Sequence, residues 1–244
     1  MLVAAVDTST TTLSCALLEL GPDGLAVHSS RREMPAGAAG GHSLRLPNLL
    51  VELLRPAGYT IRDVGGWAVG LGPGSFTGLR IGLATWKGLA YANRRPIAGA
   101  SSLAALALEA SSAAPEESLL VPLLDARKGE VYAGFYRRSA EGVKALSPPA
   151  ALAPPALLDR LAAMGPALGF GEGYEAFRQV FAGSLPELPG APATPSAEAV
   201  GRLASDGLAR YDEAALFALE PHYVRLSEAE VKFPQGLPTG PRPA

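Results

Sequence analysis

The order of apolar and turn-forming segments predicts an α/β fold in which one strand-and-helix series is followed by a second. Two observations carry that expectation. Within the first hundred residues, short apolar runs and leucine-periodic segments follow one another as β-β-β-α-β-α, and a second strand-and-helix series begins after residue 100. The stretch Gly70-Leu-Gly-Pro-Gly-Ser-Phe-Thr-Gly-Leu-Arg-Ile-Gly82 joins a strand to a long apolar helix. A turn so rich in Gly and Pro leaves backbone N–H groups free at a helix N-terminus, which suits an anion or a closely approaching second backbone. At 244 residues and 48% hydrophobic, the chain can bury a substantial core.

Each element follows from its local pattern. Residues 2–6 are an apolar strand, residues 7–12 a polar turn, and residues 13–20 a returning strand. Gly21-Pro-Asp-Gly24 is a hairpin turn into a third strand over 25–32. The Gly/Ala stretch 36–41 is expected to be a flexible loop. Residues 44–55 form an amphipathic helix with Leu46, Leu49, Leu50, Leu53 and Leu54 in register, in which Pro47 is tolerated only in the first turn and otherwise kinks the helix. A strand over 66–70 leads to the helix over 78–93.

In the second half, Ser101 or Ser102 caps a helix running to about residue 110. Residues 119–125 and 131–137 are strands joined by the turn 126–129. The Pro/Ala-rich region 146–155 is expected to be a connecting loop, with helices near 156–164, 175–181 and 196–206. The halves are therefore expected at 1–100 and 101–233, with the Pro/Gly-rich residues 234–244 as a disordered tail.

The helix over 78–93 is apolar nearly all round, as expected of one covered on more than one side. Leu79, Leu83, Trp86 and Ala90 share one face; Gly78, Ile81, Gly82, Ala84, Thr85, Gly88 and Ala92 make the other, a small-residue side. Either the helix is covered wholly within its own chain, or one side packs on its own sheet and the small-residue side meets another subunit; both faces are apolar, so the pattern does not say which points inward.

Several chemistries are excluded or weakly supported. The glycine run has no Gly-Lys-Ser/Thr, so it is not a Walker A loop, and it lacks the Rossmann spacing with a later acid. Ser75 follows Gly-x-Gly rather than sitting in Gly-x-Ser-x-Gly. His28, His42 and His222 are far apart and no His-x-x-x-His occurs, so no metal site is expected, and His42 reads as a helix-start or interface residue. Asp125 and Glu130 flank a tight turn where pairing with Arg127 or Lys128 is the expected role. Net charge is −2, and the cation pairs 31–32, 94–95, 127–128 and 137–138 lack interleaved aromatics, so direct RNA binding is not expected. With one cysteine, Cys15, no intrachain disulfide forms; no apolar run approaches the roughly 20 residues of a membrane span, and a cytoplasmic location is expected.

Gly72-Pro-Gly-Ser-Phe-Thr-Gly-Leu-Arg-Ile-Gly82 resembles the signature of the TsaB (YeaZ) family, bacterial accessory proteins of tRNA threonylcarbamoyladenosine synthesis. Ala5-Val-Asp-Thr-Ser-Thr10, Leu124-Asp-Ala-Arg-Lys-Gly-Glu-Val-Tyr132 and Glu220-Pro-His-Tyr-Val-Arg225 are similar to its opening, middle and C-terminal segments. The resemblance, from about residue 3 to 233, implies an actin-like ATPase-domain (ASKHA) fold of two similar αβ halves. In that superfamily the turn at Asp7, Thr8, Ser9 and Thr10 is the first phosphate loop, although this branch has a degenerate cleft.

The resemblance further implies a noncatalytic partner of the threonylcarbamoyltransferase TsaD, needed for modification of adenosine 37 of tRNA. The heterodimer would form through the helices over 44–55 and 78–93, with His42, Leu46, Leu49, Leu50, Leu53, Gly78, Leu79, Gly82, Leu83 and Trp86 at the interface. The ATPase TsaE would complete a ternary complex, tRNA would be contacted only through the complex, and the chain alone would homodimerise. No cofactor is implied for this chain by itself, with ATP or ADP left to the complex. The competing expectation is an actin-like-fold ATP-dependent enzyme or a glycoprotease-like peptidase.

Overall fold

The computed structural model describes residues 1–22, 24–34 and 41–225. Of the expected loop at 36–41, residues 36–40 lie outside them, as does the expected tail at 234–244, whereas Gly41 is the first residue of a helix.

The first sheet is built from β1 (Leu2–Asp7), β2 (Leu13–Gly21), β3 (Gly24–Glu33), β4 (Gly66–Gly70) and β5 (Ile97–Ala100), in the order β3-β2-β1-β4-β5. The hairpin partners are antiparallel, while β1, β4 and β5 run parallel. Parallel neighbours need crossovers, and α1 (Gly41–Leu54) and α2 (Phe76–Asn93) supply them. The second sheet repeats the plan with one strand fewer: β6 (Leu119–Arg127), β7 (Glu130–Ser139), β8 (Gly142–Leu152) and β9 (Ala167–Phe170), ordered β8-β7-β6-β9 with β6 and β9 parallel. The remaining helices are α3 (Ser102–Ala110), α4 (Pro154–Ala162), α5 (Glu172–Ala176), α6 (Arg178–Phe181), α7 (Ala197–Ala204) and α8 (Glu213–Ala218).

β1 is buried along its whole length because helices cover both faces of its sheet. Alternate residues divide between two cores. Leu2, Ala4 and Val6 join the leucines of α1 and Trp86 of α2, whereas Val3 and Ala5 meet Ala197, Val200 and Ala204 of α7. On the second sheet, α3 packs through Leu103, Leu106 and Ala107 on one face, and α4 to α6 cover the other. Helices α3 and α7 touch, so the layers run α1/α2, first sheet, α7 with α3, second sheet, α4–α6. The pair α1 and α2 therefore lies on the side of the molecule away from the second half. The expected cut at residue 100 separates the two sheets, yet α7, from the later part of the chain, covers the first sheet.

Two further differences from expectation have local causes. Residues 146–152 belong to strand β8 rather than to a loop. Pro148 and Pro149 are accommodated because β8 is an edge strand and its register with β7 shifts between the pairs Ala133–Ala150 and Phe135–Ser147. Pro47 lies in the second turn of α1, not the first, where it removes one main-chain donor from the helix. The leucine stripe of α1 holds: Leu46, Leu49, Leu50, Leu53 and Leu54 are all buried.

The centre of the first core is an edge-to-face pair, Trp67 and Trp86, with ring centroids 5.4 Å apart. Trp86 Nε1 donates to the Ala4 carbonyl at 3.0 Å, tying α2 to β1. Trp86→Ala is expected to destabilise the chain by about 3–5 kcal/mol, read from denaturant unfolding. Burial pushes the Cys15 thiol up to about 12, which makes it a packing residue. Among the described residues no helix is long and apolar enough to cross a membrane.

Candidate functional site

The β1–β2 turn and the glycine-rich loop, far apart in sequence, meet at the C-terminal edge of β1 and β4. Asp7 ends β1 and is 1% exposed. Its Oδ1 accepts from the Ser9 backbone N–H at 2.9 Å and the Ser9 hydroxyl at 2.5 Å. Its Oδ2 accepts from the Ser102 hydroxyl at 2.6 Å, and Ser102 Oγ in turn accepts from Gly72 N–H at 3.1 Å. Burial raises the Asp7 pKa above its ordinary value, opposed by the Ser102 and Ser9 hydrogen bonds and by His42.

The loop closes over this turn from the other side. Ser75 N–H donates to the Ser9 carbonyl at 2.6 Å, and the Ser75 hydroxyl caps α2 by accepting from Gly78 N–H at 3.2 Å. A Cβ on Gly70 would collide with Asp7 Oδ2, and one on Gly78 with the Thr8 carbonyl. The glycines thus admit a second backbone, the alternative to an anion that the sequence left open.

This arrangement does not fit a nucleotide phosphate or its metal at Asp7, Thr8, Ser9 and Thr10. All four are buried, both Asp7 oxygens already serve internal donors, and the adjoining space is filled by the glycine loop. Thr10 spends its hydroxyl on Thr12 N–H at 3.1 Å. The turn acts as a buried joint between β1, α2 and α3. No group of three or more His, Cys, Asp or Glu suited to a metal ion occurs among the described residues. Ser75 is a helix cap; His28 pairs with Glu19, and His42 with the Thr11 carbonyl.

The expected interface residues divide differently from expectation. Leu46, Leu49, Leu50, Leu53, Leu83 and Trp86 lie in the core between α1, α2 and the first sheet, and Leu79 is buried with them. Gly82 meets Thr8 Oγ1, so neither it nor Gly78 is available for approach by another chain. These nine residues, counting Gly78, are corrected to core: a side chain enclosed by its own sheet cannot also fill a seam with a partner. His42, near the start of α1, is partly exposed.

The outward faces of the same two helices are a separate set. On α1 they are Leu44, Pro47, Asn48 and Val51, spaced at i, i+3, i+4 and i+7, with Leu44 78% and Val51 38% exposed. On α2, Thr77, Ala84 and Gly88 are exposed, with Ile81 and Thr85 half-buried between them, and a Cβ on Gly88 would meet open space. Together they form a small, mostly uncharged surface bordered by Arg45, which is ion-paired with Glu33 and Glu52.

In the second half, Asp125 accepts from Arg127 N–H at 2.7 Å and pairs with its guanidinium at 3.1 Å, as the sequence suggested. Glu130 instead pairs with Arg225 at 2.8 Å, a partner that sequence spacing did not reveal. Cations of the basic pairs are drawn into the fold: Arg32 bonds Glu109, Arg137 the Glu117 carbonyl, and Arg138 the Ser111 carbonyl.

Comparison with known proteins gives concordant results. Residues 30–187 match the model of the TsaD family, described as tRNA N6-adenosine threonylcarbamoyltransferase. The tRNA threonylcarbamoyladenosine biosynthesis protein TsaB of Escherichia coli is 30% identical over 96% of this chain and 99% of its own length. The Bacillus subtilis protein of the same name is 34% identical over 56% of each chain. Among solved structures, YeaZ from Pseudomonas aeruginosa superposes with a TM-score of 0.69 at 30% identity, covering 91% of this chain and 99% of that one. An uncharacterized protein described as similar to peptidase YEAZ from Pseudomonas aeruginosa superposes at 0.72, with 32% identity over 92% of this chain and 99% of the other.

Proposed function

We propose that this chain, which belongs to the TsaB (YeaZ) family, is the noncatalytic partner of the transferase TsaD. As a member of that family it takes part in threonylcarbamoyladenosine biosynthesis in tRNA. The observation that carries the partner role is the outward surface of α1 and α2, uncovered by any part of the chain described and made of residues small enough for another helix pair to approach. A helix pair facing a like pair buries such a surface as a four-helix arrangement.

In this reading TsaD transfers the threonylcarbamoyl group to adenosine 37 of tRNA, and this chain stabilises TsaD in its competent conformation. The complex offers a further surface to the ATPase TsaE, and tRNA is reached only through the complex. Without TsaD the same faces of two copies associate. The closed Asp7–Thr10 turn supports a chain that needs no cofactor of its own, with ATP or ADP held by the complex. Ser75 as a helix cap supports the noncatalytic assignment over a peptidase. The cytoplasm is the proposed location.

The test is threonylcarbamoyl transfer to tRNA by TsaD alone, by this chain alone and by the two together. Transfer is expected only from the pair. Equal transfer by TsaD alone, or ATP turnover or peptide hydrolysis by this chain alone, would overturn the proposal.

A further inference from the structure

The last described residues, 220–225, run from the first half of the molecule to the second. They leave α8, which is held on α2 by Lys87 Nζ donating to the Phe217 carbonyl at 3.0 Å and by the ring contact of Tyr91 with Phe217. His222 N–H then donates to the carbonyl of Leu71, in the glycine-rich loop, at 2.7 Å. The Tyr223 ring lies 5.2 Å from that of Phe76, and its hydroxyl accepts from Arg80 Nε at 3.0 Å. Arg80 in turn stacks on Phe76, 3.8 Å from the ring centroid.

At the far end, Arg225 Nη1 donates to the Ala126 carbonyl at 3.2 Å and to the Glu130 carboxylate at 2.8 Å, one on each side of the β6–β7 turn. That turn holds three successive left-handed residues, Arg127, Lys128 and Gly129, with φ of 62°, 54° and 82°. Two of them carry side chains, so this conformation persists only where the surroundings hold it. The turn occupies the place in the second half that the Asp7–Thr10 turn occupies in the first. One is fixed from inside by Ser102; the other is clamped from outside by Arg225.

We propose that residues 220–225 are a strap fixing the second half to the first, with Arg225 as the positioning residue that holds the β6–β7 turn in the form used for transfer. The functional arm rests on the partnership with TsaD; the structural arm does not. The Arg225–Glu130 pair is partly solvent-exposed, and pairs of that kind contribute little to global stability. Its effect is on local order, and it reaches across the chain because the same six residues also bind Leu71 and Arg80.

The experiment is amide hydrogen exchange on the full chain for wild type, Arg225→Ala, Arg225→Lys and Glu130→Gln, with TsaD binding and transfer measured on the same samples. In Arg225→Ala, exchange is expected to rise about tenfold both in the turn 126–130 and at the His222 amide, with the melting temperature within about 2 °C of wild type. TsaD binding persists, transfer falls about fivefold, and Arg225→Lys recovers part of it, since a lysine can serve one of the two acceptors. Glu130→Gln, which keeps the bond to Ala126, gives a smaller rise at the same two places. A rise confined to the turn, unchanged transfer in Arg225→Ala, or a large fall in melting temperature in both Arg225→Ala and Glu130→Gln would overturn the proposal. If wild-type chain with TsaD gives no transfer, the partner role fails, while exchange on the chain alone still decides the strap.

Discussion

Gly88→Trp is expected to leave the chain folded and to abolish the proposed partnership with TsaD. Gly88 lies on the outward stripe of α2 and a Cβ there meets open space, so the indole projects into solvent without strain on the core. Replacing a helix-interior glycine also removes a conformational penalty of about 0.5–1 kcal/mol. In the proposed complex the same indole stands where another helix would approach, and a bulky side chain in a close-packed seam forces the helices apart. Affinity for TsaD is expected to fall by at least about 100-fold, or roughly 3 kcal/mol, with transfer lost in parallel. Titration calorimetry and the transfer assay measure these, and thermal unfolding confirms the fold.

Gly82→Trp separates this account from one based on sequence alone. Gly82 is buried against Thr8, so that substitution breaks the joint between α2 and the β1–β2 turn, and the chain should lose stability before any partner is considered. Unfolding by Gly82→Trp beside a stable Gly88→Trp that no longer binds would fix the inward and outward sides of α2.

Asp7→Ala is expected to be among the most destabilising single substitutions, at about 2–4 kcal/mol, because it leaves the buried donors of Ser9 and Ser102 without their acceptor. Asp7→Asn keeps an acceptor for Ser9 and should be far milder. The pH dependence distinguishes the two effects. The folded pKa of Asp7 is raised above the ordinary 3.8, chiefly by burial. The folded state therefore retains a proton that the unfolded state has released. The stability contributed by Asp7 is full below the unfolded pKa and declines as pH rises through the raised folded one. Asp7→Asn has no such term. The difference in unfolding free energy between the two proteins should shift in favour of Asp7→Asn as pH rises from the ordinary 3.8 through the raised folded value; a shift towards wild type would mean that Asp7 is held as a stabilised carboxylate.

Much of the fold was legible locally. Leu2-Val-Ala-Ala-Val6 and Gly66-Trp-Ala-Val-Gly70 are short, continuous apolar runs because helices cover both faces of their sheet, and α1 advertised its inner face through five leucines. Strand β8 was hidden by Pro148 and Pro149, which suit an edge with a register shift but read as a loop in isolation. The four residues of β9 and the six of α8 were too short to show a period. The site was legible in segments but not in sides. The small residues of α2 fall on two faces: Gly78 and Gly82 meet Thr8, whereas Ala84 and Gly88 point outward. No periodicity distinguishes small residues that admit the chain's own turn from those left for another chain. The pairings of Asp7 with Ser102 and of Glu130 with Arg225 each span 95 residues, and such separations leave no local signature.

The most direct test of the central claim is hydroxyl-radical footprinting of this chain with and without TsaD. Labelling of Leu44, Val51 and Ile81 on the outward faces of α1 and α2 is expected to fall severalfold in the complex. Leu146 and Leu203, which are also exposed, should label as before. A stable complex in which Leu44, Val51 and Ile81 remain fully labelled would contradict the assignment of this surface to the partner.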